Sequence, residues 1–128
     1  MQALHAFGVA LDLYEAEGGR VARLARYTEN MRVLREGAVR LGLRPYLDEA
    51  HQGPIILTLH QPDAPGFTLQ GFVDALKRRG VLISNFYNTP TPSLRIGCIG
   101  AVTPDDMRFA LGAMAGALEE LGVGRRAA

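Results

Sequence analysis

The strongest β signal in the chain, Ile55-Ile56-Leu57-Thr58-Leu59, is five residues long and walled in on both sides. Gly53-Pro54 precedes it, and Gln61-Pro62-Asp63 follows His60. Branched and aliphatic side chains suit a pleated strand, and prolines interrupt a hydrogen-bonded ladder. The pattern therefore predicts a short strand over 54–60 with turns at both ends. The segments around it carry helical periodicity, so the fold has to combine brief strands with longer helices.

Residues 1–17 read as a helix without proline, with Leu4, Phe7, Leu11 and Tyr14 on one stripe and Ala6, Val9, Ala10 and Leu13 filling much of the rest. A helix apolar on more than one side is expected between two packed bodies, one of them outside this chain. Gly18-Gly19 breaks the pattern. A second helix is predicted over 20–41, with Val21, Leu24, Thr28, Met31, Leu34, Ala38 and Leu41 recurring at three- and four-residue steps. Arg23, Arg26, Arg32, Arg35 and Arg40 lie mostly off that stripe and read as a solvated face, with Glu29 and Glu36 interspersed. Gly42 marks the helix end, and 44–47 is a further short strand candidate.

Thr68 is the expected N-cap of a third helix that ends at Gly80, with Leu69, Phe72, Val73 and Leu76 inward. Val81–Ser84 is expected to be a strand, and Asn85–Pro92 a polar loop holding Phe86 and Tyr87. Another strand follows around Arg95. Thr103-Pro104-Asp105-Asp106 is a helix start: a capping threonine, proline in the first turn, and carboxylates at the positive dipole end. The last helix carries Met107, Ala110, Leu111, Met114, Leu118 and Leu121 on one face, with Phe109 on the other. This order predicts an α+β fold: a small, mostly antiparallel sheet of three or four strands covered on one face by helices. The tail 124–128 is expected to fray.

Composition excludes several classes of function. At 128 residues the chain fits one domain with a real core, and a net charge of +1 argues against nucleic acid or acidic membranes as partners. One cysteine permits no internal disulfide and fits a reducing, cytoplasmic setting. No apolar run approaches a membrane span. Asp12 and Glu15 interrupt the N-terminal apolar stretch, which does not read as a signal peptide. The 14 basic residues are 13 arginines and one lysine, Lys77, so lysine chemistry has a single candidate.

Among residues that could carry chemistry, Arg95 leads. It sits inside Ser93-Leu94-Arg95-Ile96-Gly97-Cys98-Ile99-Gly100, an apolar strand with two glycines three residues apart. A guanidinium there needs a partner, and bare backbone beside it leaves room for a ligand or a second chain segment. A planar fork of donors matches a carboxylate or phosphonate. By spacing alone, a local ion pair or a strand-end position explains the arginine equally well. His5, His51 and His60 are too scattered for a metal site and read as surface or capping residues. Cys98 reads as a buried, inert thiol. Asp105 and Asp106 are accounted for by capping, and Gly97 and Gly100 match no phosphate loop.

The Arg95–Gly100 segment resembles the arginine segment near the C-terminus of class V pyridoxal-phosphate aminotransferases. Other stretches agree in order: His5-Ala6-Phe7 with Leu13–Gly19, Arg26-Tyr27-Thr28-Glu29-Asn30, Ser84–Asn88, and Ala101–Met107. The likeness covers nearly the whole chain but only the C-terminal part of such an enzyme. The nearest branch moves an amino group from 2-aminoethylphosphonate to pyruvate. Alanine–glyoxylate and serine–pyruvate aminotransferases share the Arg-Ile-Gly core and stay open, because Ile83–Phe86 stands where many relatives carry Tyr-Pro-Gly-Lys. The resemblance implies the C-terminal domain fold of fold-type I pyridoxal-phosphate transferases, with 1–19 as an interdomain-type helix and 20–123 as the small domain. It implies an amino donor and a keto acid as substrates, a homodimer, and Arg95 on the substrate's anionic group. It implies that the cofactor's lysine belongs to a large domain or a separately encoded partner, so this chain alone is expected to bind no cofactor and to be inactive. The competing expectation is a stand-alone anion-binding or interaction module. Exposed apolar residues on the first helix and Phe109 are expected to drive self-association.

Overall fold

A computed structural model describes residues 1–84 and 89–124. The elements in order are α1 (Gln2–Glu17), α2 (Gly19–Arg40), a 3-10 turn (Glu49–His51), β1 (Ile56–His60), α3 (Leu69–Arg78), β2 (Ser93–Gly97) and α4 (Pro104–Glu120). No helix among the described residues is long and apolar enough to cross a membrane.

Gly18 separates α1 from α2 by a single residue. Its φ of 106° lies in the left-handed region, where a Cβ is penalised, and its N–H closes α1 on the carbonyls of Tyr14 and Glu15. α3 and α4 begin as their sequences dictate. Thr68 Oγ1 accepts from the Gly71 N–H at 3.1 Å. At α4, Thr103 and Asp106 form a reciprocal capping box, with Pro104 in the first turn.

β1 and β2 pair antiparallel with Thr58 opposite Arg95 and Leu57 opposite Ile96. The ladder runs past both strand ends, through Cys98 N–H to the Ile55 carbonyl (3.0 Å) and Gln61 N–H to that of Pro92 (3.1 Å). Alternation then sorts the side chains. Leu57, Leu59, Leu94, Ile96 and Cys98 are buried on one face, beneath α2 and α4, with α3 packed against α4. Phe72, Leu76, Leu34 and Met114 complete the core. Each fully buried aliphatic or aromatic side chain contributes about 1.5–3 kcal/mol relative to exposure. The opposite face, with Ile56, Thr58, His60, Ser93, Arg95 and Gly97, carries no helix among the described residues.

The architecture is the expected α+β arrangement, but the sheet is smaller than the sequence suggests. The 44–47 candidate is reduced to one bridge, Pro45 opposite Leu59. Tyr46 N–H donates to Thr58 O and His60 N–H to Arg44 O, each at 2.9 Å, so Pro45 occupies a position that needs no N–H. The same proline supplies no donor to carry the ladder further. Val81–Ser84 forms no strand. Val81 and Ile83 pack against the core and Leu82 is exposed, so the alternation is real. The Val81 N–H, however, goes to Leu76 O at the end of α3 rather than to a strand.

α2 also departs from its predicted stripe. Met31, Leu34 and Ala38 are buried as expected, with Asn30, Val33 and Gly37, but Val21 and Leu24 are exposed and Thr28 faces solvent. The core lies under the second half of α2 only. The first half carries α1, which has no buried residue: Leu4 is 72% exposed and Phe7 61%. Phe109 is exposed on the far side of α4, as its position on the helical wheel indicates. The Asn85–Asn88 part of the loop and residues 125–128 of the tail lie outside the described residues.

Candidate anion-binding face

Arg95 is the central residue of β2 and projects from the helix-free face, half-buried. The ladder bonds at Ile55/Cys98 and Gln61/Pro92 set the phase of the pairing. Thr58 and Arg95 therefore form a non-hydrogen-bonded pair, the closer-spaced kind. On the same face Ser93 and Gly97 flank Arg95, and β1 contributes Ile56 and His60.

Gly97 is informative for what does not surround it. A Cβ built there would meet no heavy atom within 4 Å, and its φ is not in the positive range. Nothing among the described residues requires a glycine at that position. Its smallness clears a surface two residues from Arg95, on the same face. Gly100 is different, since its φ of 96° makes it the turn that ends the strand.

The edge of this face is basic and aromatic. The His60 ring stacks on Tyr46, with centroids 4.9 Å apart and planes 23° apart. Burial, and then the nearby Arg44 cation, push the His60 imidazole below its ordinary value. Ser93 is buried, its Oγ 2.6 Å from Thr89 Oγ1, and its carbonyl accepts from Gln61 Nε2 at 3.0 Å. Sequence reasoning set His60 aside as a capping residue and did not single out Thr58 or Tyr46. The signal that could have found them is parity: residues 56, 58 and 60 share a face, opposite 97, 95 and 93.

The rest of the candidates separate from this face. Cys98 is buried, donates weakly to the Ile55 carbonyl at 3.3 Å, and has its thiol pushed up to about 11 by burial, as an inert thiol should. Lys77 is exposed near the end of α3, on the helical side of the sheet. No group of three or more metal-ligating side chains exists among the described residues. An open groove of 940 Å³ along α2, lined by Leu24, Met31, Arg35, Val39 and Gln52 among others, does not include Arg95.

The arginine run on α2 is not uniformly solvated. Arg32 and Arg40 do form surface pairs with Glu29 and Glu36. Arg23 and Arg26 instead share the Glu17 carboxylate, each through Nε at 2.6 Å. Arg26 Nη1 also donates to the carbonyls of Gly100 (2.6 Å) and Val102 (2.8 Å). Asn30 Nδ2 donates to Cys98 O (3.1 Å) and Val102 O (3.0 Å), while its buried Oδ1 has no hydrogen-bond partner among the described residues. Leaving such an oxygen unsatisfied costs about 1–3 kcal/mol, which the two donated bonds and the packing around them must offset.

No family model matches the chain. Curated proteins do. A 2-aminoethylphosphonate–pyruvate transaminase of Burkholderia ambifaria is 45% identical over 118 residues, which is 92% of this chain and 32% of that protein. A second transaminase of the same name, from Polaromonas, is 42% identical over the same share of each chain. Among solved structures, pyridoxamine–pyruvate aminotransferase of Mesorhizobium loti superposes with a TM-score of 0.79 at 30% identity, over 89% of this chain and 29% of that one. Ureidoglycine–glyoxylate aminotransferase of Bacillus subtilis, at 22% identity and a TM-score of 0.78, shares the fold. The chain spans about a third of the length of the curated relatives it matches. By sequence and by fold, it belongs to the class V aminotransferases and corresponds to the C-terminal part of such a protein.

Proposed function

We propose that this chain is the small domain, with its leading interdomain helix, of a transaminase that moves the amino group of 2-aminoethylphosphonate to pyruvate. Residues 1–19 would be that helix and 20–123 the domain. The observation that carries the reading is Arg95, half-buried on the sheet face that carries no helix among the described residues and two positions from Gly97, in a chain 45% identical to a transaminase of that name. The arginine receives the substrate's acidic group. Two parallel N–H···O bonds to a carboxylate or phosphonate fix its orientation as well as its position. Thr58, directly opposite, offers a hydroxyl to the same group.

Pyridoxal phosphate, which the aminotransferase family implies, would supply the electron sink for amino-group transfer. The residues described here do not fit that group. The only lysine, Lys77, is exposed in the last turn of α3, a helix that packs against α4, and it does not belong to the sheet face that carries Arg95. No step of the transfer is therefore assigned to this chain. Its part is to bind and orient an anion, in a homodimeric assembly completed by a lysine-bearing large domain, covalently joined or separate.

Titration of the chain with 2-aminoethylphosphonate and with pyruvate, followed by amide chemical shifts, tests this. Shifts at Arg95–Gly97 that vanish in Arg95→Ala support the reading. Shifts that persist in that variant overturn the clamp. Alanine formation above blank by the chain with added cofactor, or borohydride fixing the cofactor on Lys77, would overturn the division of labour.

A further inference from the structure

We propose that Arg26 is a positioning residue for Arg95. It latches the segment that leaves β2 to the turn between α1 and α2. The proposal rests on the reading of Arg95 as an anion clamp and extends it to a residue that touches no substrate.

β2 pairs with β1 alone among the described strands. Its last ladder bond is made by the Cys98 N–H, and α4 is capped from Thr103. The residues between, Ile99 to Val102, have no strand partner among the described residues. Side chains of α2 take the place of one. Arg26 Nη1 holds the carbonyls of Gly100 and Val102, Asn30 Nδ2 holds those of Cys98 and Val102, and the Tyr27 hydroxyl accepts the Gly100 N–H at 3.2 Å. The Arg26 guanidinium also lies 5.0 Å from the centroid of the Tyr27 ring.

The other edge of the guanidinium faces a different element. Arg26 Nε donates to Glu17, the last residue of α1, whose carboxylate is shared with Arg23. Only a planar fork can reach a carboxylate from one side and two carbonyls from the other; a lysine ammonium offers one point of attachment. Arg26 and Tyr27 lie on the half of α2 that the core does not cover, and Gly100, which both hold, is exposed. A shift of α1 would therefore be felt at Gly100 and passed along β2 to a guanidinium five residues away.

The test uses the full 128-residue chain titrated with methylphosphonate, with Arg26→Ala, Arg26→Lys and the control Arg32→Ala, whose arginine pairs with Glu29 and Glu36 on the surface of α2. Loss of charge-assisted bonds of this kind is expected to weaken binding about tenfold in Arg26→Ala. Arg26→Lys should recover little, and Arg32→Ala should bind as the parent does. The Arg95 Nε–H resonance should move in Arg26→Ala, and the Cys98 amide should exchange faster. Wild-type affinity and an unmoved Arg95 resonance in a folded Arg26→Ala chain overturn the proposal. Should Arg26→Ala fail to fold, Tyr27→Phe and Glu17→Gln take its place: weaker binding upholds the latch, and unchanged binding overturns it. If Arg95→Ala binds as well as the parent, or the parent does not bind, the anion-clamp reading fails. The latch is then decided by the Arg95 resonance and Cys98 exchange alone: a change in Arg26→Ala upholds it, and none overturns it.

Discussion

Glu17 sits between two guanidinium groups, and its ionisation records how firmly they hold it. The hydrogen bond from Arg26, then that from Arg23, brings its carboxyl from an ordinary 4.5 to about 2. A carboxyl whose folded value is depressed contributes stability that is complete above its unfolded value and lost as pH falls through the folded one. The contribution of Glu17 is thus present above 4.5 and disappears towards 2. Glu17→Gln is expected to be less stable than the parent at neutral pH, with the gap closing between those two values. Urea midpoints measured across that range check it; a gap that stays constant with pH would assign the effect to packing instead. The pairing itself was not legible in the sequence. Glu17, Arg23 and Arg26 lie on two helices, and only the tight turn at Gly18 folds them onto one another.

At the scale of elements, the contact between α2 and α4 is set by one missing side chain. A Cβ at Gly37 would stand 2.7 Å from Leu111 Cδ2 and 2.9 Å from its Cγ. Alanine is the better helix former by about 1 kcal/mol, so propensity alone favours Gly37→Ala. Overpacking costs about 1–3 kcal/mol and should win. Gly37→Ala is therefore expected to lower the urea midpoint, and Leu111→Ala in the same chain to recover part of the loss through a coupling between the two sites. Full additivity of the two changes would show that the helices simply move apart. The sequence was a good guide to where elements start and a poorer one to what they touch. Thr68 and Thr103 cap their helices by chemistry that is complete within four residues. Val81–Ser84 has the alternation of a strand, but whether it pairs depends on which backbone groups are already engaged, and Val81 N–H closes α3.

The whole molecule is unevenly held together. The core joins α3, α4, the sheet and the second half of α2, while α1 has no buried residue and packs mainly against α2 among the described elements. A helix of 16 residues with so little tertiary support is marginal in water. Amides of α1 are expected to exchange with solvent well before those of Met31–Ala38, and sedimentation should show association that rises with concentration through the exposed Leu4, Phe7, Val21 and Leu24. Protection in α1 equal to that in α2, in a monomer, would contradict both expectations.

The sequence by itself determined the local chemistry. The helix caps, the break at Gly18-Gly19, the central strand and the choice of Arg95 as the residue worth following all rest on neighbours a few positions apart, where sterics and hydrogen bonding act directly. Its resemblance to class V aminotransferases was carried by motifs of the same short range, and the relatives that match it agree. Tertiary structure decided the rest. It reduced four expected strands to two and a bridge, because a ladder needs free donors on both partners. It turned part of an arginine run into a latch, because charge partners are set by distance in space. It placed Arg95, Thr58 and Gly97 on one face, away from the buried Leu57, Leu94 and Ile96, because pairing register, which no single segment contains, fixes which side of a sheet each residue meets.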